Sequence, residues 1–480
     1  MEPKTNGRGV GGALGWKLME RFGVQGIQFI LQIILARILD PDHYGVLSMM
    51  VIFTSLANVF IQTGFNTALI QNKDVTEEDY SSVACVTTLI AAALYAVIFF
   101  TAPYIAAFYE MPDMVQPLRV LALMLLPGAL QSVQLAKVSR EMDFRKVFVS
   151  NIAAIVLSGA AGIALALMGG GLWALVAQSV LNVVIAMVTM LFTVRWRPRL
   201  ICNWKRIKVL FSFGWKLLVS GLLDTLYQDI RSLVIGKKYD SGTLGYYNRG
   251  KQFPQFIINA VNGAVQSVML PAMSANQEDI SAVKKMTRNS IMISSFVLFP
   301  IMAGLAGVAT PLIRLLLTDK WLPCVPYMQI YCFTLAFYPV HSCNLQAINA
   351  MGRSDIFLKL EIIKKSIGIG SLVVAVFCFD SPLAIAATGV FTTAISCFIN
   401  AYPNKKLIGY SYWEQMKDLL PSLLASVLML LAVLAVGMLN LPLIAILALQ
   451  VVVGVAAYLA ISVVARLEPF RAIMALLKKK

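Results

Sequence analysis

Apolar residues in this 480-residue chain gather into runs of about 20, separated by short polar stretches, from one end to the other. The runs predict helices over Gly12–Leu35, Tyr44–Thr63, Ser82–Phe108, Val115–Ala136, Val147–Met168 and Leu172–Val194. A second set covers Val209–Ile235, Phe253–Ser274, Ser290–Leu317, Pro326–Ala350, Phe357–Phe379 and Leu383–Ala401; Leu420–Met438 and Leu441–Ala465 follow. In lipid every backbone N–H and C=O must be satisfied internally, which helices and closed barrels achieve. These runs are too long and too evenly apolar for barrel strands. The expected fold is an all-α polytopic membrane protein with about 14 transmembrane helices.

An internal repeat organises the helices. Gly15-Trp16-Lys17-Leu18 opens the first, and Gly214-Trp215-Lys216-Leu217 opens the seventh. Tyr44-Gly45 recurs as Leu244-Gly245, and Asn66 falls opposite Gln266. Six helices separate the copies, so both halves keep one orientation. That predicts two six-helix lobes related by a pseudo-two-fold along the membrane normal, with a cavity where they meet. The expected divisions are residues 1–200 for the N-terminal lobe, 201–410 for the C-terminal lobe, and 411–480 for helices 13 and 14 with a basic tail.

Polar residues interrupt the runs in a pattern. In the first helix Lys17, Arg21, Gln25, Gln28 and Gln32 follow steps of four, four, three and four; in the seventh, Lys216, Ser220, Asp224, Tyr227 and Arg231 repeat those steps. At about 100° per residue each set shares one face. Asn58, Gln62 and Asn66 in the second helix, and Asn259, Asn262 and Gln266 in the eighth, add amides. A Lys or Arg facing mid-bilayer lipid costs about 2.5–3.5 kcal/mol, so these faces point to a water-filled cavity. Internal ion pairing, Arg21 with Glu20 and Arg231 with Asp224 or Asp229, is the alternative. Lys17 and Lys216 lie near helix ends and can snorkel. Arg119 and Arg314 suit either cavity lining or helix-end anchoring. Glu361, Lys364 and Lys365 lie within the eleventh helix, where only one of the adjacent lysines can face the same way as Glu361. A cavity rich in Lys and Arg suits an anionic ligand, since guanidinium matches phosphate oxygens in pairs. Trp16, Trp215 and Tyr227 suit sugar rings or, for the two tryptophans, interfacial anchoring.

Composition agrees: 59% of residues are hydrophobic and 13% charged, about half the charged share of a soluble protein. The net charge of +16 sits in short loops. With the N-terminus cytoplasmic, inside loops hold Lys137, Arg140, Arg145 and Lys146, then Arg195, Arg197, Arg199, Lys205, Arg206 and Lys208. Lys284, Lys285, Arg288, Arg353, Lys359, Lys405, Lys406, Lys417 and the tail from Arg466 through Arg471 to Lys478–Lys480 follow suit. Loops around Glu110, Gly170, Asp380 and Asn440 carry no Lys or Arg. One outward cluster disagrees: Lys237, Lys238, Arg249 and Lys251. Both termini are placed inside by this rule. No basic, aromatic-interleaved domain is present, so nucleic acid is not an expected partner.

Candidate chemistry is sparse. The seven cysteines form no C-x-x-C pair, and no metal site is expected. His43 and His341, the only histidines, lie in distant segments. Asp40-Pro41-Asp42 lacks a nucleotide-sugar domain around it, Gly7–Gly12 follows no strand, and no G-x-S-x-G or Walker lysine occurs. An enzyme is not expected, and no cofactor beyond H⁺ or Na⁺ coupling, for which Glu20 and Asp224 are the candidate carboxylates.

The stretch Leu35–Gln71, "LARILDPDHYGVLSMMVIFTSLANVFIQTGFNTALIQ", resembles the signature of the polysaccharide transporter family of lipid-linked oligosaccharide flippases. "RPRL" from Arg197 and "GYYNRGKQFPQ" from Gly245 are similar too. The likeness is nearest to exporters of colanic-acid-like or teichuronic-acid-like repeat units, within the superfamily that includes multidrug-and-toxin extruders. It implies a V-shaped pair of lobes that carries undecaprenyl-diphosphate-linked oligosaccharide to the outer leaflet of the bacterial inner membrane by alternating access. It also implies that Lys17, Arg21, Lys216 and Arg231 line the cavity, that helices 13 and 14 help form a lipid-side groove, and that the product passes to polymerase and chain-length machinery. A small-molecule exporter of the same fold would carry a less cationic cavity. A membrane polymerase or ligase would carry a sizeable outward loop, which the sequence lacks.

Overall fold

The computed structural model describes residues 23–71, 75–194, 196–199 and 201–478, and their regular structure is helical throughout. In chain order the first helices are α1 (Gln25–Ile38), α2 (Pro41–Gln71), α3 (Glu77–Phe108), α4 (Val115–Ala122), α5 (Leu125–Glu141), α6 (Phe144–Leu167), α7 (Leu172–Thr193) and α8 (Trp204–Lys238). These and the first turn of α9 (Ser241–Ala275) form one compact unit, Met1–Gly245. The second unit, Tyr246–Lys480, holds the rest of α9 with α10 (Ile280–Gly307), α11 (Ala309–Leu317), α12 (Val325–Ala336) and α13 (Tyr338–Ala350). It continues through α14 (Ser354–Cys378), α15 (Pro382–Ala401), α16 (Asn404–Leu407), α17 (Tyr412–Gly437), α18 (Leu443–Val464) and α19 (Glu468–Lys478).

Among the described residues, nine helical stretches are long and apolar enough to cross a membrane. The expected segments outside that group are informative. Polar residues interrupt α8 and α9, and Glu361, Lys364 and Lys365 interrupt α14. The tenth segment breaks at Phe337 into α12 and α13, and the first segment is described only from residue 23. Segments that depart from plain apolar spans are thus mostly those the sequence marks as polar-faced.

Helix ends follow local chemistry. Thr76 and Asp79 form a reciprocal capping box at α3, and Ser411 and Glu414 form one at α17. Asn203 caps α8 by accepting from Arg206 N, and Asp279 caps α10 by accepting from Ser281 N and Ala282 N. Pro103 within α3 and Pro300 within α10 sit in corresponding helices of the two repeats, and each removes one intrahelical hydrogen bond.

On α18 side-chain placement is inverted relative to a soluble bundle. There Gln450, Gly454, Tyr458 and Ser462 are buried at steps of four, whereas Val452, Val455 and Leu459 are exposed. Gln450 donates to the Val433 carbonyl (3.1 Å) and Tyr458 to that of Phe296 (2.8 Å). Small and hydrogen-bonded residues inside, with branched apolar residues outside, is the arrangement a lipid solvent selects. In the first unit α6 lies along α7, α2 along α5 and α8, and α3 along α5, around a core that includes Phe65, Tyr80, Val133 and Trp196. In the second unit α10 packs on α17, α17 on α18, and α15 on α12 and α14. There α19 folds back on α10, placing Phe470 and Ile473 against Phe296 and Tyr458.

Candidate functional site

The seam between α2 and α8 is set by glycines. A Cβ at Gly221 would lie 3.1 Å from Val59 and 3.3 Å from Thr63, so the helices approach closely at mid-length. At one end the approach is tighter and reciprocal. A Cβ on Gly45 would stand 1.7 Å from the Ser241 carbonyl oxygen, and one on Gly245 would stand 2.2 Å from that of Pro41. These glycines are 200 positions apart, as are the residues they meet, so the repeat seen in the sequence makes a two-fold-like crossing of helix starts. Ser241 Oγ donates to Asp42 Oδ1 at 2.8 Å across the same crossing.

Close by, Lys237 Nζ donates to the Phe108 carbonyl (2.6 Å) and to Glu110 Oε1 (3.0 Å), and it lies 4.9 Å from the Phe108 ring. Arg249 is buried, 5.1 Å from the Trp321 ring, and donates to Gln252 Oε1 at 2.6 Å. Lys251 lies 6.0 Å from the Tyr331 ring. The basic cluster that breaks the loop-charge rule is therefore partly engaged within its own units rather than spread along a free loop.

Beside the seam the polar residues stay accessible. On α8, Lys216, Ser220 and Asp224 are exposed, and Tyr227 and Arg231 half-buried. On α2, Gln62 is exposed and Asn58 and Asn66 half-buried, while Ala57, Ile61, Phe65 and Leu69 are buried. Gln25, Gln28 and Gln32 on α1 are half-buried. On α9, Asn259 is exposed and accepts from Gln255 Nε2 at 2.9 Å. Asp224, Tyr227, Arg231 and Asn259 each engage a partner. Lys17, Glu20 and Arg21, with the side chains of Asn262 and Gln266, lie outside the described residues.

Arg119 and Arg314 sit near helix ends. Arg119 Nε donates to the Phe99 carbonyl (3.1 Å), and its guanidinium lies 4.1 Å from the Phe99 ring. Arg314 pairs with Asp319 at 2.6 Å.

Two charge networks and a groove had not been anticipated from sequence. In the first unit, buried Asp79 accepts from Arg206 Nε (2.8 Å) and Nη2 (2.7 Å) while it caps α3. Thus the start of α3 is tied to the start of α8. In the second unit, Arg288 on α10 bridges Asp418 on α17 and Glu468 on α19, with four N···O distances of 2.8–2.9 Å. Tyr410 also donates to Asp418 Oδ2 at 2.7 Å. The capping boxes are visible in sequence, but the partners are not. An apolar cavity of about 350 Å³ opens between α10, α12 and α17, lined by Phe299, Met302, Phe333, Phe337, Val427 and Leu430.

The family described as "Polysaccharide biosynthesis protein" matches residues 34–326. Among curated relatives, the succinoglycan biosynthesis transport protein ExoT of Rhizobium meliloti (strain 1021) is 23% identical over 412 residues, covering 86% of this chain and 81% of its own. The teichuronic acid biosynthesis protein TuaB of Bacillus subtilis (strain 168) is 26% identical over 305 residues, 63% of each chain. The fold is similar to that of the lipid II flippase MurJ in an inward closed conformation. The TM-score is 0.74 at 15% identity, covering 93% of this chain and 98% of that one.

Proposed function

The chain belongs to the polysaccharide biosynthesis protein family, and from that premise we propose that it is a flippase rather than an enzyme. It moves undecaprenyl-diphosphate-linked oligosaccharide repeat units from the inner to the outer leaflet of a bacterial cytoplasmic membrane by alternating access, with both termini cytoplasmic. The observation that carries this reading is the accessible polar face of α8 beside α2, on helices of membrane length. A cationic, amide-rich face in that setting fits a charged head group that sheds water on entry.

In this scheme Lys216 and Arg231, joined by Lys17 and Arg21, hold the diphosphate through charge-assisted hydrogen bonds. Gln25, Gln28, Gln32, Asn58, Gln62, Asn66, Asn259, Asn262 and Gln266, with Tyr227, address sugar hydroxyls. Arg119 and Arg314 extend the cationic lining towards helix ends. Residues 1–200 and 201–410 act as the two repeating lobes, with 411–480 appended. Within the first unit the crossing at Gly45 and Gly245 is then the outward end, and the Asp79–Arg206 network the cytoplasmic end. Outward movement of a diphosphate is assisted by an inside-negative potential, about 2.3 kcal/mol per charge per 100 mV. Glu20 and Asp224, the carboxylates in the same two sequence segments as the cations Lys17, Arg21, Lys216 and Arg231, are the candidates for H⁺ or Na⁺ coupling. The delivered unit passes to polymerase and chain-length machinery.

The test is translocation in liposomes that carry fluorescent undecaprenyl-diphosphate-oligosaccharide, read by loss of label protection. Lys216→Ala or Arg231→Ala removes a charge-assisted contact of about 1.5–3 kcal/mol and slows transport roughly 10- to 100-fold. Wild-type rates in both variants, or no movement of this lipid by the intact protein, would overturn the assignment.

A further inference from the structure

The residues that lead into α8 run back along the first turns of α3. Arg206 donates through two nitrogens to Asp79, and the Asn203 N–H donates to Ser82 Oγ at 3.0 Å. The Arg199 N–H donates to Ser81 Oγ at 3.3 Å. Asp79, Ser82 and Cys85 follow one another at steps of three, so they share one side of α3. The pairings of 79 with 206 and of 82 with 203 therefore bring Cys202 towards Cys85, one turn further along α3.

The side chains agree with that register. The Cys202 thiol lies within side-chain hydrogen-bonding reach of Cys85; burial first, and then this neighbour, push it above the ordinary thiol range. Cys202 also packs at the margin of the core that includes Val83, Val86 and Trp196. Both cysteines are half-buried, so a small oxidant can reach them, whereas Cys324, Cys332, Cys343 and Cys397 are buried. The two positions are distant in sequence, and only the antiparallel run of the linker on α3 joins them.

We propose that Cys85 and Cys202 form a reversible disulfide that pins the start of α8 to α3 and arrests transport under oxidising conditions. The arrest rests on the flippase reading above; the bond itself does not. The oxidant is a hydroperoxide, for which hydrogen peroxide is the probe. One thiolate attacks a peroxide oxygen, the O–O bond breaks, and a sulfenic acid and water form. The second thiol sulfur displaces the sulfenic oxygen, which leaves as a second water as the S–S bond closes. The two thiols lose two electrons, and the peroxide gains them. A dithiol reductant reverses the step by exchange.

The Asp79–Arg206 ion pair can break and re-form as α8 moves, whereas a covalent bond cannot. Because α8 carries the polar face from Lys216 to Arg231, holding its start holds that face as well. On the topology proposed above this end of the first unit faces the cytoplasm, where thiols are kept reduced. The disulfide is then a transient state formed under oxidative load.

Wild-type protein in proteoliposomes is treated with hydrogen peroxide, and non-reducing peptide mapping by mass spectrometry locates the bond. A Cys85–Cys202 disulfide is expected, with loss of fluorescent undecaprenyl-diphosphate-oligosaccharide transport and recovery on adding dithiothreitol. Amide exchange at the start of α8 should slow in the oxidised protein. Cys85→Ser and Cys202→Ser should each keep transport and exchange unchanged by peroxide, with Cys202→Ala as a further variant outside the helices. Absence of the Cys85–Cys202 bond, a bond that leaves transport running, or arrest that persists in these variants overturns the proposal. A wild type that moves no lipid before oxidation instead overturns the flippase reading, and the pinning of α8 then stands or falls on mapping and exchange.

Discussion

Replacing Gly45 with alanine would put a methyl group 1.7 Å from the Ser241 carbonyl oxygen, and the same change at Gly245 would put one 2.2 Å from that of Pro41. Neither oxygen belongs to a side chain that can rotate away. The helix starts must therefore separate by more than an ångström to reach ordinary contact. Overpacking of this kind costs about 1–3 kcal/mol, equivalent to a roughly 5- to 150-fold shift away from the closed crossing. The assay is disulfide formation between Asp42→Cys and Ser241→Cys, whose native side chains hydrogen-bond at 2.8 Å. A brief oxidant pulse should cross-link the pair rapidly in the parent and markedly more slowly with Gly45→Ala or Gly245→Ala added. Gly370→Ala is the control, because a Cβ there meets nothing within 4 Å. Unchanged cross-linking in both glycine variants, with unchanged transport, would refute the reciprocal crossing.

Other outcomes follow from the charge networks. Arg206→Ala strands the buried Asp79 carboxylate; breaking a fully buried pair costs about 3–5 kcal/mol, and the partial exposure of Arg206 places this one nearer 2. A lower melting temperature in detergent, partly restored by adding Asp79→Asn, is the expected result. Arg288→Ala should free α19 from α10 and α17, seen as faster protease cleavage near Glu468 with the membrane helices intact. At the start of α10, hydrogen bonds from the Ala282 backbone N–H and then from Ser281 hold the Asp279 carboxyl below the usual carboxylate range. Its capping stabilisation is thus full above the unfolded value near pH 4 and lost as pH falls through the lowered value. Faster amide exchange confined to the first turn of α10 at acid pH would show it; Asp279→Ala should remove that pH dependence.

Particular elements show how far sequence reasoning reached. The stripe from Lys216 to Arg231 was legible because helical periodicity needs only spacing, and the side chains do remain accessible on α8. The eighth segment was expected at Phe253–Ser274, yet α9 begins at Ser241. The added turns contain Tyr247 and Arg249, which are buried against protein rather than lipid, so hydropathy does not register them. Sequence left open which of Lys364 and Lys365 would face with Glu361; in the structure Lys364 pairs with it. Asp79 and Arg206 are 127 residues apart, and no local pattern pairs them.

By itself the sequence determined the membrane class, the helical spans, their repetition and the polar faces, because a bilayer imposes its demands on each segment separately. Only the tertiary structure decided which charges neutralise one another, how α18 turns its polar side inward, and where Gly45 and Gly245 meet. Those outcomes depend on contacts between distant segments, and there close packing admits few arrangements that local composition does not encode.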